Sequence, residues 1–280
     1  MDRIQKALDK AKAKQQPEPN SFNDANRKDT VVTVDKNQPL NNAQDVTGIT
    51  YTETKVVEVS EKALAEKRVI ASQYSNSQSG VFRMLRTQVL QKMREKSFQT
   101  LAITSPTAGE GKSVVSSNLA VAMAMESNQT VLLVDLDLRN PTLSDYFSLD
   151  VEVGLKDYLE GDIGISEVLI NPGIKGLVIL PGKGRAENSA ELLSSKKMTH
   201  LVSDLKAKYN SRMIIFDTPP ILQTDDVLLA SNYIDSTLLV LEDGKNKESE
   251  IVKSLQLLEG TELIGSVLNK SEKPPMHQSY

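Results

Sequence analysis

Short, mostly apolar runs alternate with longer segments of helical periodicity across the C-terminal two thirds of the chain. Apolar runs without polar alternation are typical of strands covered on both faces of a sheet. Strands are predicted at 101–103, 131–134, 177–180, 213–216, 237–241 and 263–268, and helices at 114–125, 190–209, 227–231 and 247–258. This alternation predicts an α/β fold with a doubly wound, mostly parallel sheet.

The N-terminal third has a different pattern. Its first residues can form a short amphipathic helix, which is either a docking helix for a partner or a frayed, solvated end. The next stretch is rich in Asn, Gln, Asp, Pro and Lys and predicts a flexible linker, although 52–59 alternate weakly and could form an edge strand. Residues 60–70 are compatible with a helix. The predicted division is a helix at 1–14, a polar linker at 15–59, a domain at 60–270 and a mobile tail at 271–280.

Composition narrows the possible partners and the compartment. The 280 residues carry 33 basic and 37 acidic side chains, a net charge of −4, and this balance argues against nucleic acid as the main partner. The absence of cysteine excludes disulfides, iron–sulfur clusters and thiolate zinc sites. No apolar run approaches the roughly 18 residues that span a bilayer, and no signal peptide is visible. We therefore expect a cytoplasmic protein that reaches a membrane only through a partner.

The first predicted core strand leads into a glycine-bearing loop and then a helix. Gly109, Gly111, Lys112 and Ser113 stand at this junction, a pattern typical of a phosphate-binding loop. Glycines let backbone N–H groups approach a polyphosphate, and the helix N-terminus adds a positive dipole end. Lys112 would reach the β- and γ-phosphates, and Ser113 would ligate Mg²⁺. Pro106 occupies a position where the usual pattern has glycine, so the loop alone fits a plain glycine turn with an exposed lysine equally well.

Two further predicted strands end in aspartates. Asp135 and Asp137 follow the strand at 131–134, and Asp217 follows the strand at 213–216. Doubly wound sheets place their ligands at these carboxyl ends of the strands. Acids beside a phosphate loop suit holding Mg²⁺ through water and accepting a hydroxyl proton. The alternative for each is a solvated strand end that leads into a turn.

Residues 80–93 predict a helix that packs on the domain, with Phe82, Val89 and Met93 among the residues that face it. Arg83 and Arg86 lie three residues apart on one side of this helix. They form either an ordinary solvated basic face or an arginine pair that reaches across a subunit interface.

Three segments in order resemble the Walker A, A′ and B motifs of the bacterial tyrosine kinases: Ala-Gly-Glu-Gly-Lys-Ser, Asp-Leu-Asp-Leu-Arg and Asp-Thr-Pro-Pro. The resemblance covers roughly residues 80–269, and the family does not require a glycine at the position of Pro106. It implies a P-loop NTPase fold of the ParA/MinD type, a three-layer α/β/α arrangement. The implied activity is ATP-dependent tyrosine autophosphorylation that regulates capsule or exopolysaccharide assembly.

The resemblance also implies ATP and Mg²⁺ as cofactors and assigns site residues. The implied nucleotide contacts are Thr107, Ala108, Gly109, Glu110, Gly111, Lys112, Ser113, Val114 and, near the adenine, Asn269. The implied catalytic residues are Lys112, Asp135, Asp137 and Asp217. Asp135 would activate the tyrosine hydroxyl, and Asp137 and Asp217 would order Mg²⁺ together with Ser113. The family's oligomerisation helix is similar to residues 80–93, so Arg83 and Arg86 carry over, and Arg139, which resembles the A′ arginine, is grouped with them.

By the same resemblance, the partner is a transmembrane polysaccharide co-polymerase that activates the kinase and recruits it to the inner face of the plasma membrane. The resemblance also implies that the chain forms a homo-oligomer. Gly80 stands where the family has a glutamate, which puts half of an intersubunit ion pair in doubt. Tyr280 is the single tyrosine of the tail and the expected phosphoacceptor, with Tyr51 and Tyr74 as other candidates.

Two other functions remain open from the sequence. A ParA/MinD-type switch ATPase shares the fold, but such proteins typically carry a second lysine early in the loop, where this chain has Thr107. A non-catalytic scaffold that binds nucleotide within the polysaccharide machinery is the other alternative, because the tail offers only one tyrosine.

Overall fold

The computed structural model describes residues 54–127, 129–208 and 212–272. The predicted helix at 1–14, most of the predicted linker, and Tyr280 lie outside these residues. The strands are β1 (Lys55–Val56), β2 (Thr100–Thr104), β3 (Thr130–Asp135), β4 (Ile170–Asn171), β5 (Leu177–Leu180), β6 (Arg212–Asp217), β7 (Ser236–Glu242) and β8 (Glu262–Asn269). They form one sheet in the order β1-β4-β5-β3-β6-β2-β7-β8. Among the described pairings only β4 with β5 is antiparallel, so the predicted mostly parallel sheet is confirmed.

Helices cover both faces of the sheet. They are α1 (Glu61–Glu66), α2 (Ser79–Glu95), α3 (Lys112–Ala124), α4 (Leu143–Tyr146), α5 (Leu155–Glu160), α6 (Ile165–Val168), α7 (Ser189–Leu193), α8 (Lys196–Lys208), α9 (Asp226–Ala230) and α10 (Glu248–Leu257). Within β2, Leu101 and Ile103 pack in the core layer that contains α2 and α3, whereas Ala102 packs in the layer that contains α7 and α8. Because alternate strand residues point to opposite faces, this division confirms the three-layer α/β/α arrangement. None of the helices in the described part of the chain has the length and apolarity that a membrane crossing requires.

The prediction of one helix over 190–209 is wrong, because two adjacent serines interrupt it. The Ser194 hydroxyl donates to the carbonyl of Ala190 at 2.8 Å and closes the end of α7. The Ser195 hydroxyl accepts a hydrogen bond from the backbone N–H of Met198 at 3.1 Å and caps the start of α8. Serine favours such local bonds over a continuous helix.

The N-terminal boundary of the domain also differs from the prediction. The edge strand expected within 52–59 is present as β1, which pairs with β4. The backbone N–H groups of Val57 and Val59 then donate to the carbonyls of Asn171 and Pro172, at 2.8 and 3.4 Å. The predicted linker therefore extends too far, because its last residues are attached to the sheet. The helix expected over 60–70 is shorter as well, since α1 ends at Glu66.

Candidate active site

The candidate site lies where β2, β3 and β6 end at the same edge of the sheet. These three strands are adjacent and parallel, and Asp135 of β3 is in register with Asp217 of β6. Ile103 of β2 is in turn opposite Asp217. The sheet therefore brings together the start of the phosphate loop and two of the predicted aspartates, although Asp135 and Asp217 lie 82 residues apart in sequence.

The loop from residue 105 to residue 111 joins β2 to α3 and depends on two glycines. Gly109 and Gly111 have φ values of +82° and +89°, in the left-handed region that favours glycine. Gly111 is the N-cap residue of α3. A Cβ atom at Gly111 would collide with the side-chain nitrogen of Asn269. The chain thus needs glycine here both for its backbone conformation and for close packing against the end of β8.

The outer side of the loop is held by side chains from the C-terminal part of the domain. Three successive loop carbonyls each accept one hydrogen bond: Ala108 from Lys245 at 2.9 Å, Gly109 from Lys270 at 2.7 Å and Glu110 from Asn269 at 2.8 Å. Both lysines also contact the Glu242 carboxylate, at 3.2 and 3.0 Å. These bonds fix the orientation of the loop peptide groups. Asn269 therefore contacts the loop, while its adenine contact stays a prediction.

Glu110 stabilises the loop from inside. Its side chain is buried and accepts hydrogen bonds from the N–H and hydroxyl of Thr107, at 3.2 and 2.6 Å, and from Asn246. Thr107 and Glu110 are predicted nucleotide contacts, and in the structure their side chains bond to each other. Asn246 was not predicted, because no local pattern links a residue after β7 to this loop.

Lys112 lies at the first position of α3 and is largely buried. Its ammonium group is 3.2 Å from the Asp137 carboxylate, and the two side chains are 14% and 7% exposed. Burial acts to lower the pKa of Lys112, but the carboxylates of Asp217, Asp137 and Asp135 outweigh it and raise this pKa. Lys112 therefore remains charged at physiological pH, with Asp137 as its counter-ion.

Asp135 and Asp217 are both fully buried beside Lys112. Asp135 accepts hydrogen bonds from the backbone N–H groups of Thr142 and Leu143, at 2.9 and 3.0 Å. Burial, followed by the charge of Asp217, raises the pKa of Asp135 to about 8. Burial also raises the pKa of Asp217, although Lys112 opposes this shift. Ionising both carboxyl groups is therefore costly in the ligand-free protein, even with Lys112 beside them.

One oxygen of each buried carboxylate is left without a partner among the described residues, namely Oδ1 of Asp135 and Oδ2 of Asp217. Buried polar atoms are usually bonded, so these oxygens point to a ligand or ion that the protein is built to receive. The Ser113 hydroxyl lies 3.3 Å from the Thr142 hydroxyl at the same place. The described residues contain no group of three His, Cys, Asp or Glu that could hold a metal by itself. The two unpartnered carboxylate oxygens and the Ser113 hydroxyl fit Mg²⁺, which binds through few protein oxygens together with phosphates and waters.

The three predicted oligomerisation arginines make contacts within the chain in this structure. Arg139 pairs with the buried carboxylate of Asp226 at 3.2 Å. Arg86 donates to the carbonyl of Ala122 at 3.2 Å and pairs with Glu126 at 2.9 Å. Arg83 donates to the Ser79 hydroxyl at 2.7 Å and stacks over the Tyr74 ring at 5.3 Å. Their part in oligomerisation stays a prediction.

Two further residues at the site, Ser116 and Thr142, were not predicted from the sequence. The Ser116 hydroxyl donates to Asp217 at 3.0 Å, from one turn further along α3 than Ser113. That helical spacing from Ser113 is a local signal that could have identified it. Thr142 orients Asp135 and contacts Ser113, but only the folded loop after Asp137 brings it there.

Comparison with known proteins identifies a matching family model and several relatives of the chain. The family model described as "AAA domain" matches residues 98–244. The chain is 34% identical over 218 residues to tyrosine-protein kinase YwqD of Bacillus subtilis (strain 168), covering 77% of this chain and 90% of that protein. It is 31% identical over 192 residues to tyrosine-protein kinase CpsD of Streptococcus agalactiae serotype III (strain NEM316), covering 68% of this chain and 81% of that protein. Other relatives are much longer: the chain spans 26% of tyrosine-protein kinase etk of Escherichia coli (strain K12), to which it is 34% identical.

Solved structures give the same result. The kinase domain of the Escherichia coli tyrosine kinase ETK superposes with a TM-score of 0.66 at 28% identity, covering 79% of this chain and 92% of that one. The septum site-determining protein MinD of Pyrococcus horikoshii OT3, complexed with Mg-ADP, superposes with a TM-score of 0.54 at 28% identity, covering 63% of this chain and 74% of that one. The P-loop α/β fold is therefore confirmed, and the chain belongs to the bacterial tyrosine-protein kinase family of enzymes.

Proposed function

We propose that this chain is an ATP-dependent protein-tyrosine autokinase that regulates capsule or exopolysaccharide assembly. The observation that carries the proposal is the buried cluster around Lys112, in which Asp135 and Asp217 each keep one unpartnered carboxylate oxygen. Buried carboxyl groups this close together do not stabilise a protein core. They are expected in a site that receives a cation and a polyphosphate. The family membership supplies the tyrosine as acceptor.

Phosphoryl transfer depends on positioning and charge neutralisation more than on covalent chemistry by the protein. Lys112 would leave Asp137 and neutralise a phosphate of ATP, while the amides of the loop from Thr107 to Val114 would hold the polyphosphate. Ser113, Asp137 and Asp217 would hold Mg²⁺ directly or through water, and bound Mg²⁺ supplies further positive charge at the phosphates.

Asp135 is proposed as the proton acceptor. As the bond to the γ-phosphorus forms from the tyrosine oxygen and the bond to ADP breaks, the hydroxyl proton would pass to Asp135. In the ligand-free protein the pKa of Asp135 is raised to about 8, which makes this carboxylate a stronger proton acceptor than an ordinary aspartate. Thr142 and Leu143 would hold the carboxylate in place through their N–H groups.

The partner and the location are proposed from the family alone. A transmembrane polysaccharide co-polymerase would activate a homo-oligomer of this chain at the inner face of the plasma membrane. Arg83 and Arg86 on α2, together with Arg139, are the proposed oligomerisation residues, and Tyr280 is the proposed acceptor. To contact a neighbouring copy, Arg86 and Arg139 would have to release their present partners within the chain, Glu126 and Asp226.

Mass spectrometry of the chain expressed with its activator tests this function. We expect phosphate on Tyr280 in the wild type and none on any tyrosine in Lys112→Met, which should remain folded. Lys253→Met is the matched control, since Lys253 is an exposed lysine on α10, and it should be phosphorylated normally. Phosphotyrosine that persists in Lys112→Met would reject the kinase assignment.

The MinD superposition keeps a switch ATPase as a second candidate. In this chain the N–H and hydroxyl of Thr107, at the position of the second loop lysine of that class, bond to Glu110. ATP-dependent binding to DNA or liposomes without phosphotyrosine would favour the switch. Bound ATP with neither output would favour a nucleotide-binding scaffold.

A further inference from the structure

A solvent-accessible cleft of about 360 Å³ lies beside the phosphate loop on the side of α1 and α4. Its lining residues are Glu66, Lys67, Arg68, Val114, Thr142, Asp145 and Tyr146. The volume falls in the range of small-ligand pockets, about 300–1,000 Å³. Val114, a predicted nucleotide contact, and Thr142, which bonds to Asp135, also belong to the site described above.

The cleft continues the active site. Val114 follows Ser113 directly, and the Thr142 hydroxyl lies 3.3 Å from the Ser113 hydroxyl. Tyr146 interacts electrostatically with charged groups of the acid cluster and with Arg68. Burial and then the charge of Asp217 raise its pKa, while the charges of Lys112 and Arg68 oppose this rise. A group that enters the cleft would therefore lie between Arg68 and the acid cluster.

Arg68 has an unusual backbone conformation for an arginine. It follows the end of α1, where its N–H donates to the Ala65 carbonyl at 2.9 Å and the Val69 N–H donates to the Leu64 carbonyl at 2.8 Å. These two bonds form a Schellman motif, whose left-handed position is usually glycine. Arg68 occupies that position with φ of +64°. An arginine there costs stability relative to glycine, so its side chain is expected to have a use.

Asn118 fixes this segment to the phosphate-loop helix. Its fully buried side chain accepts hydrogen bonds from the N–H groups of Ile70 and Ala71, at 2.8 and 3.0 Å. Its amide group donates to the carbonyls of Arg68 and Val114, each at 2.8 Å. The backbone of Arg68 is thus bonded to the same side chain as the first turn of α3. Arg68 therefore keeps a set position relative to Ser113.

Arg68 is an exposed residue, and its guanidinium group has no hydrogen-bond or ion-pair partner in the part of the chain that the structure describes. The two acids of the cleft, Glu66 and Asp145, do not pair with it. An arginine with a fixed backbone and an unpaired guanidinium group can bind a planar set of anionic oxygens. Phosphate is the anion proposed to bind in the neighbouring site.

We propose that this cleft receives the acceptor tyrosine and that Arg68 binds the phosphoryl group once it is on the tyrosine oxygen, which makes Arg68 a phosphotyrosine-binding residue. The proposal rests on the tyrosine-kinase function proposed above and names a residue for the acceptor side. Arg68 neither gives nor takes a proton in the transfer. It holds the product oxygens while Asp135 keeps the proton from the hydroxyl.

The experiment uses the full chain and two probes: a peptide with the sequence of residues 271–280 phosphorylated on its tyrosine, and ADP-Mg. Arg68→Gly removes the side chain and relieves the left-handed backbone. The matched control is Ser97→Gly, because Ser97 occupies the same Schellman position after α2 with φ of +56°. Both variants should melt at or above the wild-type temperature, so a loss of binding is not a loss of folding.

We expect Arg68→Gly to bind the phosphopeptide about tenfold more weakly than the wild type, the fold-change expected for one charge-assisted hydrogen-bonded contact. Arg68→Lys should recover part of this affinity. ADP-Mg should bind all variants within about twofold, and Ser97→Gly should match the wild type with both probes. Equal phosphopeptide binding by Arg68→Gly, or no binding by the wild type, would overturn the proposal. Weaker ADP-Mg binding with unchanged phosphopeptide binding would also overturn it and assign Arg68 to the nucleotide.

These outcomes are separate from those of the function itself. If the wild type transfers no phosphate from ATP to tyrosine but binds the phosphopeptide through Arg68, the kinase proposal fails while the binding site stands. If transfer occurs and Arg68→Gly changes neither the KM for the acceptor nor the phosphopeptide affinity, the kinase stands and the site fails.

Discussion

Replacing Asp135 by asparagine should stabilise the ligand-free protein while abolishing its chemistry. Asp135 and Asp217 are buried side by side, and the pKa of Asp135 is raised to about 8, first by burial and then by the charge of Asp217. Asparagine keeps an oxygen that can accept from the N–H groups of Thr142 and Leu143. It removes the charge, which is the source of the penalty.

The sign and size of the effect follow from the linkage between protonation and folding. A carboxyl whose folded pKa lies above its unfolded pKa costs stability as pH rises past the unfolded value, and the full cost is reached above the folded value. For an isolated group with pKa values of 3.8 and about 8, the cost is about 1.5 kcal/mol at pH 5 and about 5 kcal/mol at pH 8. We therefore expect the advantage of Asp135→Asn over the wild type to grow by about 3.5 kcal/mol from pH 5 to pH 8.

Urea unfolding followed by circular dichroism at pH 5, 6, 7 and 8 measures this difference, since the chain has no tryptophan for fluorescence. Asp150→Asn is the control, because Asp150 is exposed, and its stability curve should run parallel to that of the wild type. If Asp135→Asn follows the wild-type pH dependence, or loses stability at pH 8, the acids are not crowded as described. A cation site formed by these two acids would then be refuted.

Two other substitutions test the loop and its attachment. Gly111→Ala should lower nucleotide affinity at least tenfold by titration calorimetry and lower the free energy of unfolding by about 1–2 kcal/mol, because alanine is strained at φ of +89° and its Cβ meets Asn269. Gly260→Ala, where a Cβ has open space, should change neither quantity. Asn118→Ala should cost about 2–4 kcal/mol in urea unfolding, because two N–H groups and two carbonyls lose their partner, and a loss no larger than that of the exposed Gln88→Ala would contradict the attachment.

The parts of the fold and site that the sequence predicts are those with local signals. Apolar runs locate the strands, and the parallel order then forces Asp135 and Asp217 to one sheet edge. The break at Ser194 and Ser195 was not predicted, because the apolar period continues through it. Only the hydrogen bonds of the two serine side chains end one helix and start the next. Serine at one helix position does not by itself distinguish a cap from a solvated residue.

The contacts that position the site come from residues far apart in sequence. Asn118 bonds to residues 47 and 48 positions away, and Lys245 and Lys270 reach the loop across more than 130 residues. No periodicity links such residues, so sequence patterns could not assign them. Arg139 illustrates the converse case: a motif identified the residue, but its partner Asp226 depends on how α9 packs.

We expect Lys112, Ser113 and acids from two neighbouring strand ends to surround one magnesium nucleotide. A crystal structure with Mg²⁺ and a non-hydrolysable ATP analogue decides this. The phosphates should lie in the loop at 105–113, with Mg²⁺ beside Ser113 and within water-mediated reach of Asp217, and Lys112 should have moved from Asp137 to a phosphate oxygen. A loop that stays empty at saturating nucleotide, or nucleotide bound elsewhere on the protein, would contradict it.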